Sequence, residues 1–236
     1  MTLVSIPSNP VPEDVVSGTI KTPDGVELRF ARWAPPANRK GTVCVFTGRS
    51  EQIEKYFETV RDLRERGFAV AMIDLPGRAT SFPVRALLKT LRVLGRGGGY
   101  VPGGSDQITG LSPFINNPLT SDPVRYARNA AILEEDPTLG LASPTVAWAD
   151  TAFSAMRTFR GMNYPSEIRQ PILMLAASND TVVSTAAIEE FAYHLRAGSH
   201  LVIAGSKHEI LQEQDRYRSQ FWAAFDAFVP GTPLFK

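Results

Sequence analysis

Cysteine is almost absent. Cys44 is the only one in 236 residues, which excludes an intrachain disulfide and fits a reducing compartment. It falls in the apolar run Thr42 to Phe46, where it reads as a small buried core residue. Neither charge dominates: 25 Lys and Arg against 24 Asp and Glu leave a formal net charge of +1, so nucleic acid has no electrostatic case as a partner. No apolar run approaches a membrane span. The first residues, MTLVSIPSNPVPEDVV, lack the basic start and apolar block of a signal peptide, and the expected location is cytoplasmic. Metal-ligand spacing and internal repeats are missing too. The run Gly95 to Gly104 holds six glycines, but no strand precedes it and no P-loop lysine follows, so it reads as a loop. No cofactor is expected. What remains is an ordinary globular composition, 43% hydrophobic and 21% charged, long enough for one domain with a real core.

The most informative stretch runs from Pro171 to Ile210. Pro171 to Ala177 is a short apolar run of the kind that forms a buried strand of a parallel sheet. Ser178, Asn179 and Asp180 break it, and Ser184 or Thr185 can cap the helix that follows. Ile188, Phe191, Ala192 and Leu195 make one apolar stripe on that helix, and Gly198 is expected to close it. A second strand, His200 to Ala204, leads into Gly205, Ser206, Lys207 and His208. Asp180 and His208 thus each follow the C-terminal end of a parallel strand, where open α/β sheets collect their chemistry. Taken singly, Asp180 can be a helix cap and His208 an exposed loop residue. Taken together, they have the order and context of an acid that orients a base.

With Asn179-Asp180-Thr181-Val182-Val183 and Lys207-His208-Glu209 in view, the stretch resembles the C-terminal quarter of an α/β-hydrolase. It is most similar to the bacterial lysophospholipase and monoacylglycerol-lipase branch. That resemblance implies Asp180 as triad acid, His208 as general base and a lipid ester as the small-molecule substrate. The N-terminal half is similar as well. Val15 to Lys21 and Val26 to Trp33 flank a Pro23-Asp24-Gly25 turn and resemble the antiparallel hairpin that opens the fold. Gly41 to Phe46 reads as a buried strand leading into Thr47-Gly48-Arg49-Ser50-Glu51. The family carries H-G-x-x-E there, so the resemblance implies the Arg49 backbone N–H as an oxyanion donor, with Thr47 replacing the histidine. A helical stripe on Tyr56, Val60 and Leu63 ends at Gly67, the strand Phe68 to Ile73 follows, and Asp74 to Arg78 resembles the family's D-x-x-G turn.

The family pattern then breaks. Its nucleophile elbow, G-x-S-x-G, is not present anywhere. Ser50, Ser105 and Ser112 each have a glycine two residues before, at Gly48, Gly103 and Gly110, but Gln52, Gln107 and Phe114 stand two residues after. Between Arg78 and Val84 about two βα units of some 30 residues each are absent relative to that pattern. The expected fold is therefore an α/β-hydrolase with a mostly parallel sheet, an N-terminal antiparallel hairpin and a helical cap, lacking about two central strands. One domain over 1–236 is expected, its core at 15–78 and 165–230 and its cap at 84–164. Without the elbow strand, Gly41 to Phe46 is expected to pair directly with Pro171 to Ala177 in a sheet of about six strands. Val84, Leu87, Leu88, Leu91 and Leu94 form the apolar face of a basic helix, 84–96, which is a candidate for peripheral membrane contact or for a lid packed on the body. Asn117 to Asp122 and Arg125 to Asn129 resemble the family's cap, Ile132 to Ala142 reads as loop-rich, and Pro144 to Phe159 and Gln212 to Val229 read as helices. The functional expectation is a lysophospholipase or monoacylglycerol-lipase type of ester hydrolase. The alternative is a non-catalytic relic of that fold that binds lipid or a protein.

Overall fold

Two strand-forming runs on either side of a proline–glycine turn open the chain. Val15–Lys21 (β1) and Glu27–Trp33 (β2) pair antiparallel, Val15 opposite Trp33 and Lys21 opposite Glu27. The computed structural model describes residues 2–229 apart from 24, 26, 36–39, 75–94, 96–97, 160 and 162. Within these, the chain divides into two compact units, Met1–Leu111 with Arg128–Ser154, and Ser112–Ala127 with Ala155–Lys236.

In the first unit, Gly41–Phe46 (β3) is followed by a 3-10 turn, Ile53–Tyr56, and the helix Phe57–Glu65 (α1). Gly67 adopts a φ of +92° just before Phe68–Ile73 (β4), a conformation that costs glycine least. β4 pairs antiparallel with β2 and parallel with β3, giving the order β1-β2-β4-β3. Ile53, Phe57, Val60 and Leu63 are buried with Trp33, Val70 and Met72, and the Trp33 and Phe57 rings meet edge to face at 6.2 Å. The N-terminal arm is tied to this body. Trp33 Nε1 donates to Pro12 O at 3.1 Å, Arg61 to Pro10 O at 3.0 Å and Arg64 to Glu13 O at 2.9 Å. Asn9 Nδ2 donates to Glu54 O at 2.7 Å, and Val4 N–H to Glu54 Oε1 at 3.2 Å.

The helices Pro123–Glu135 (α2) and Val146–Phe159 (α3) follow. α2 runs four residues into the stretch expected to be loop-rich, because Ile132 and Leu133 are buried apolar positions rather than loop residues. Val146, Ala149 and Phe153 of α3 pack with Val101, so this apolar face is core in its first turns.

The second unit holds a short helix, Tyr164–Glu167 (α4), and the strands Ile172–Ala177 (β5) and Gly198–Ile203 (β6) joined by the helix Thr185–Tyr193 (α5). β5 and β6 pair parallel, Ile172 opposite Gly198 and Ala177 opposite Ile203. Ser184 caps α5 by accepting from Ala187 N–H at 3.2 Å, and the helix ends at Tyr193. Gly198 does not close that helix as expected. It is the first residue of β6, and a Cβ there would lie 2.7 Å from Leu195 Cβ and 3.0 Å from Ala192 O, so close approach excludes a side chain. Asp215–Phe228 (α6) ends the described chain, with Trp222 buried and packed edge to face on Phe221 and Phe225.

The strands of the described residues make a four-stranded sheet in the first unit, with β3 at its edge, and a two-stranded sheet in the second. One expectation about β3 is overturned. An edge strand has a neighbour on one side only, and its residues alternate between half-buried and exposed. Cys44 is therefore exposed rather than core, and Phe46 is 64% exposed. The helix expected at 84–96 falls, but for Gly95, outside the described residues. No helix of the described residues is long and apolar enough to cross a membrane.

Candidate active site

The parallel register of β5 and β6 ends both strands side by side, and the loops beyond them are bonded to each other. Ser178 N–H donates to Ile203 O at 3.2 Å, Asn179 N–H to Ser206 O at 3.0 Å, and Gly205 N–H to Ser178 Oγ at 2.8 Å. Gly205 has a φ of +84°, and a Cβ there would lie 3.0 Å from the Tyr217 hydroxyl, so glycine serves both conformation and space.

This arrangement brings Asp180 and His208 together. His208 Nδ1 lies 2.8 Å from Asp180 Oδ2, with the carboxylate side chain buried and the imidazole 32% exposed. Asp180 Oδ1 accepts the Val182 and Val183 N–H groups at 2.8 and 3.0 Å. Burial alone would raise the Asp180 carboxyl. The His208 hydrogen bond, the Val183 and Val182 N–H groups and the His208 charge outweigh it, and the group sits below its ordinary value. An ionised carboxylate only accepts, so the proton of neutral His208 resides on Nδ1 and Nε2 is the ring nitrogen left with a lone pair.

Arg49 belongs to the first unit, in the loop after β3. Its guanidinium donates to Ala142 O. The loop turns through Ser50, whose φ is +60°, and is closed by Glu51, which accepts Gly48 N–H and, at 2.7 Å, the Tyr56 hydroxyl. Lys55 Nζ adds a 2.8 Å ion pair. Burial would raise Glu51, but the Lys55 charge and these donors hold it below its ordinary value. A Cβ on Gly48 would lie 2.5 Å from Glu51 Oε2, which explains the glycine.

Several polar residues make contacts that no motif announces. Glu54 is fully buried and ion-paired with Arg29, which also lies 3.3 Å from Asp74. Burial pushes the Asp74 carboxyl up to about 7; the Arg29 charge lowers it and the Glu54 charge raises it. Glu213 is buried below the His208 loop. Arg29 lies tens of residues from Glu54 and Asp74, as Ser121 does from Glu213, so only an apolar surrounding and a turn context hint at them. Among the described residues, no group of three or more His, Cys, Asp or Glu is placed to hold a metal ion.

The family model of the serine aminopeptidase S33 hydrolases matches residues 86–215, a segment that contains Asp180 and His208. The chain belongs to this family. Lysophospholipase L2 of Escherichia coli K12 is 32% identical over 115 residues, covering 45% of this chain and 33% of that protein. A probable lysophospholipase L2 of Haemophilus influenzae is 27% identical over 150 residues, covering 62% of this chain and 46% of that protein. The S33 chain thus spans less than half the length of these curated relatives. A thermostable carboxyl esterase of Bacillus coagulans superposes with a TM-score of 0.69 at 16% identity, over 93% of this chain and 99% of that one. A soluble variant of monoglyceride lipase from Saccharomyces cerevisiae gives 0.60 at 14%, over 92% and 97%. The fold is that of the α/β-hydrolases.

Proposed function

We propose that this S33 chain carries the acid–base machinery of a lipid ester hydrolase of lysophospholipase or monoacylglycerol-lipase type. The observation that supports it is the 2.8 Å contact of Asp180 with His208 at the ends of two parallel strands. In the mechanism of the family, a serine hydroxyl from the elbow that this sequence lacks attacks the ester carbonyl while His208 Nε2 takes its proton. Asp180 holds the imidazole in the Nδ1–H tautomer and stabilises the imidazolium. The Arg49 N–H donates to the oxyanion, His208 returns the proton to the leaving alcohol, and water repeats the cycle to release the fatty acid. On this reading the substrate is a small-molecule monoacyl lipid, the reaction is cytoplasmic, and the segment 84–96 is the candidate contact with a membrane surface. No cofactor enters these steps.

A second reading has its own observation: no G-x-S-x-G occurs in the sequence. On that reading the chain is a relic of the fold that binds a lipid or a protein without turning it over. Insertion of a βα segment bearing G-x-S-x-G between Arg78 and Val84 separates the two. The ester-hydrolase reading expects that the insertion restores fluorophosphonate labelling and cleavage of a monoacyl ester, and that His208→Gln in this background removes cleavage. An inserted, folded protein that binds monoacyl lipid but never cleaves it would establish the relic.

A further inference from the structure

The loop that presents His208 is pinned on both sides of the histidine. Just before it, Lys207 N–H donates to Glu213 Oε1 at 2.9 Å and Lys207 Nζ to Asn117 O at 2.8 Å. Just after it, Glu209 N–H donates to Leu119 O at 2.8 Å. Glu213 is fully buried, where a carboxylate is costly unless donors fill it. Three do so: Lys207 N–H, the Ser121 hydroxyl at 2.5 Å and Gln214 N–H at 3.1 Å. Two of these donors belong to the histidine loop and the third to the segment Asn117 to Asp122, the one whose carbonyls also receive Lys207 and Glu209. The same two segments are joined by Thr120 Oγ1 donating to Gln212 O at 2.7 Å and Gln214 Nε2 donating to Ser121 O at 3.0 Å. Arg125 holds the Glu213 main-chain carbonyl at 3.0 Å. Neither Glu213 nor Ser121 bonds to His208 or Asp180.

We infer that Glu213, anchored by Ser121, is a positioning residue for His208: its carboxylate fixes the peptide entering the histidine and so holds Nδ1 on Asp180. The catalytic meaning of this rests on the hydrolase reading above, but the geometry does not. Removing the Ser121 hydroxyl takes away the carboxylate's donor from the facing segment, while the Thr120 and Gln214 side-chain bonds between the two segments stay. The carboxylate is then free to shift, the peptide entering the histidine shifts with it, and the imidazole loses its fixed partner. Replacing Glu213 by Gln puts an amide N–H₂ against either the Ser121 and Gln214 donors or the Lys207 N–H; the less costly placement faces Lys207 and leaves that buried donor unmet.

The test uses the full chain labelled with ¹⁵N-histidine and long-range ¹H–¹⁵N spectra near neutral pH. His208 is assigned by loss of its signals in His208→Gln, and His194 and His200 serve as internal references. The unaltered protein should show His208 in the Nδ1–H tautomer. Ser121→Ala and Glu213→Gln should lose that signature and give the mixture of an unrestrained imidazole, with His194 and His200 unmoved. Ser121→Thr, which keeps a hydroxyl, should restore it. Folded variants that keep the wild-type His208 signals overturn the inference, as does Ser121→Thr that fails to rescue. Should Glu213→Gln not fold, Ser121→Ala decides; if neither folds, both residues serve stability alone and the assignment falls. An elbow-restored protein that cleaves no ester would sink the hydrolase reading and leave these spectra untouched.

Discussion

At the scale of single residues, two buried carboxylates should respond to pH in opposite directions. Asp74 sits with Arg29 and Glu54, and burial raises it to about 7. In the folded protein it keeps its proton through a window where the unfolded chain has already released it. Stability therefore falls as pH rises from the ordinary carboxylate range towards 7, by at most about 1.4 kcal/mol per pH unit from this group. Urea midpoints between pH 4.5 and 8 should show this slope, and Asp74→Asn should flatten it; an unchanged slope would refute the assignment. Asp180 is depressed instead, so its contribution is intact above the ordinary range and is lost as pH falls through its folded value. Asp180→Asn in an elbow-restored protein should lower kcat by about 10⁴, because the amide favours the wrong tautomer. Steady-state hydrolysis of a monoacyl ester measures it. The pairing of Asp180 with His208 is legible in the sequence, since each residue follows an apolar run and the runs are joined by one helix. The roles of Arg29, Glu54, Asp74, Ser121 and Glu213 are not. Their pairings cross 25 to 92 residues, as in Arg29 with Glu54 and Ser121 with Glu213, and a polar contact of that reach leaves no periodicity to read.

At the scale of elements, period and punctuation place most boundaries. β1, β3 and β4 begin and end where apolar runs meet Pro, Gly or Asp, and Ser184 caps α5 as its position suggests. Burial is harder to read, because it depends on which strand lies next door. An apolar TVCVF run looks the same at the centre of a sheet and at its edge. The exposed Cys44 makes this checkable: without denaturant, the native chain should take up one equivalent of a maleimide promptly. A thiol that reacts only after unfolding would return Cys44 to the core. Gly205→Ala should cost about 1–3 kcal/mol, since alanine resists a φ of +84° and its Cβ meets the Tyr217 hydroxyl. Chemical denaturation reads the loss.

For the whole molecule, the absent elbow sets the expected activity. Triad residues act as a unit, and loss of the nucleophile alone removes on the order of a million-fold in turnover. The unaltered chain should not label with a fluorophosphonate and should hydrolyse a nitrophenyl ester barely above buffer. Stoichiometric labelling at any serine would reveal a nucleophile outside the G-x-S-x-G pattern. The N-terminal arm carries a last consequence. Pro10, Pro12 and Glu13 are held through their carbonyl oxygens, by Arg61, Trp33 and Arg64. What the body grips there is a path and not an alphabet. Over evolutionary time the exposed letters at 10 and 13 are free to drift so long as the backbone keeps its course, while the side chains that grip it are not. A library randomising positions 10 and 13 should retain far more folded members than one randomising 61 and 64.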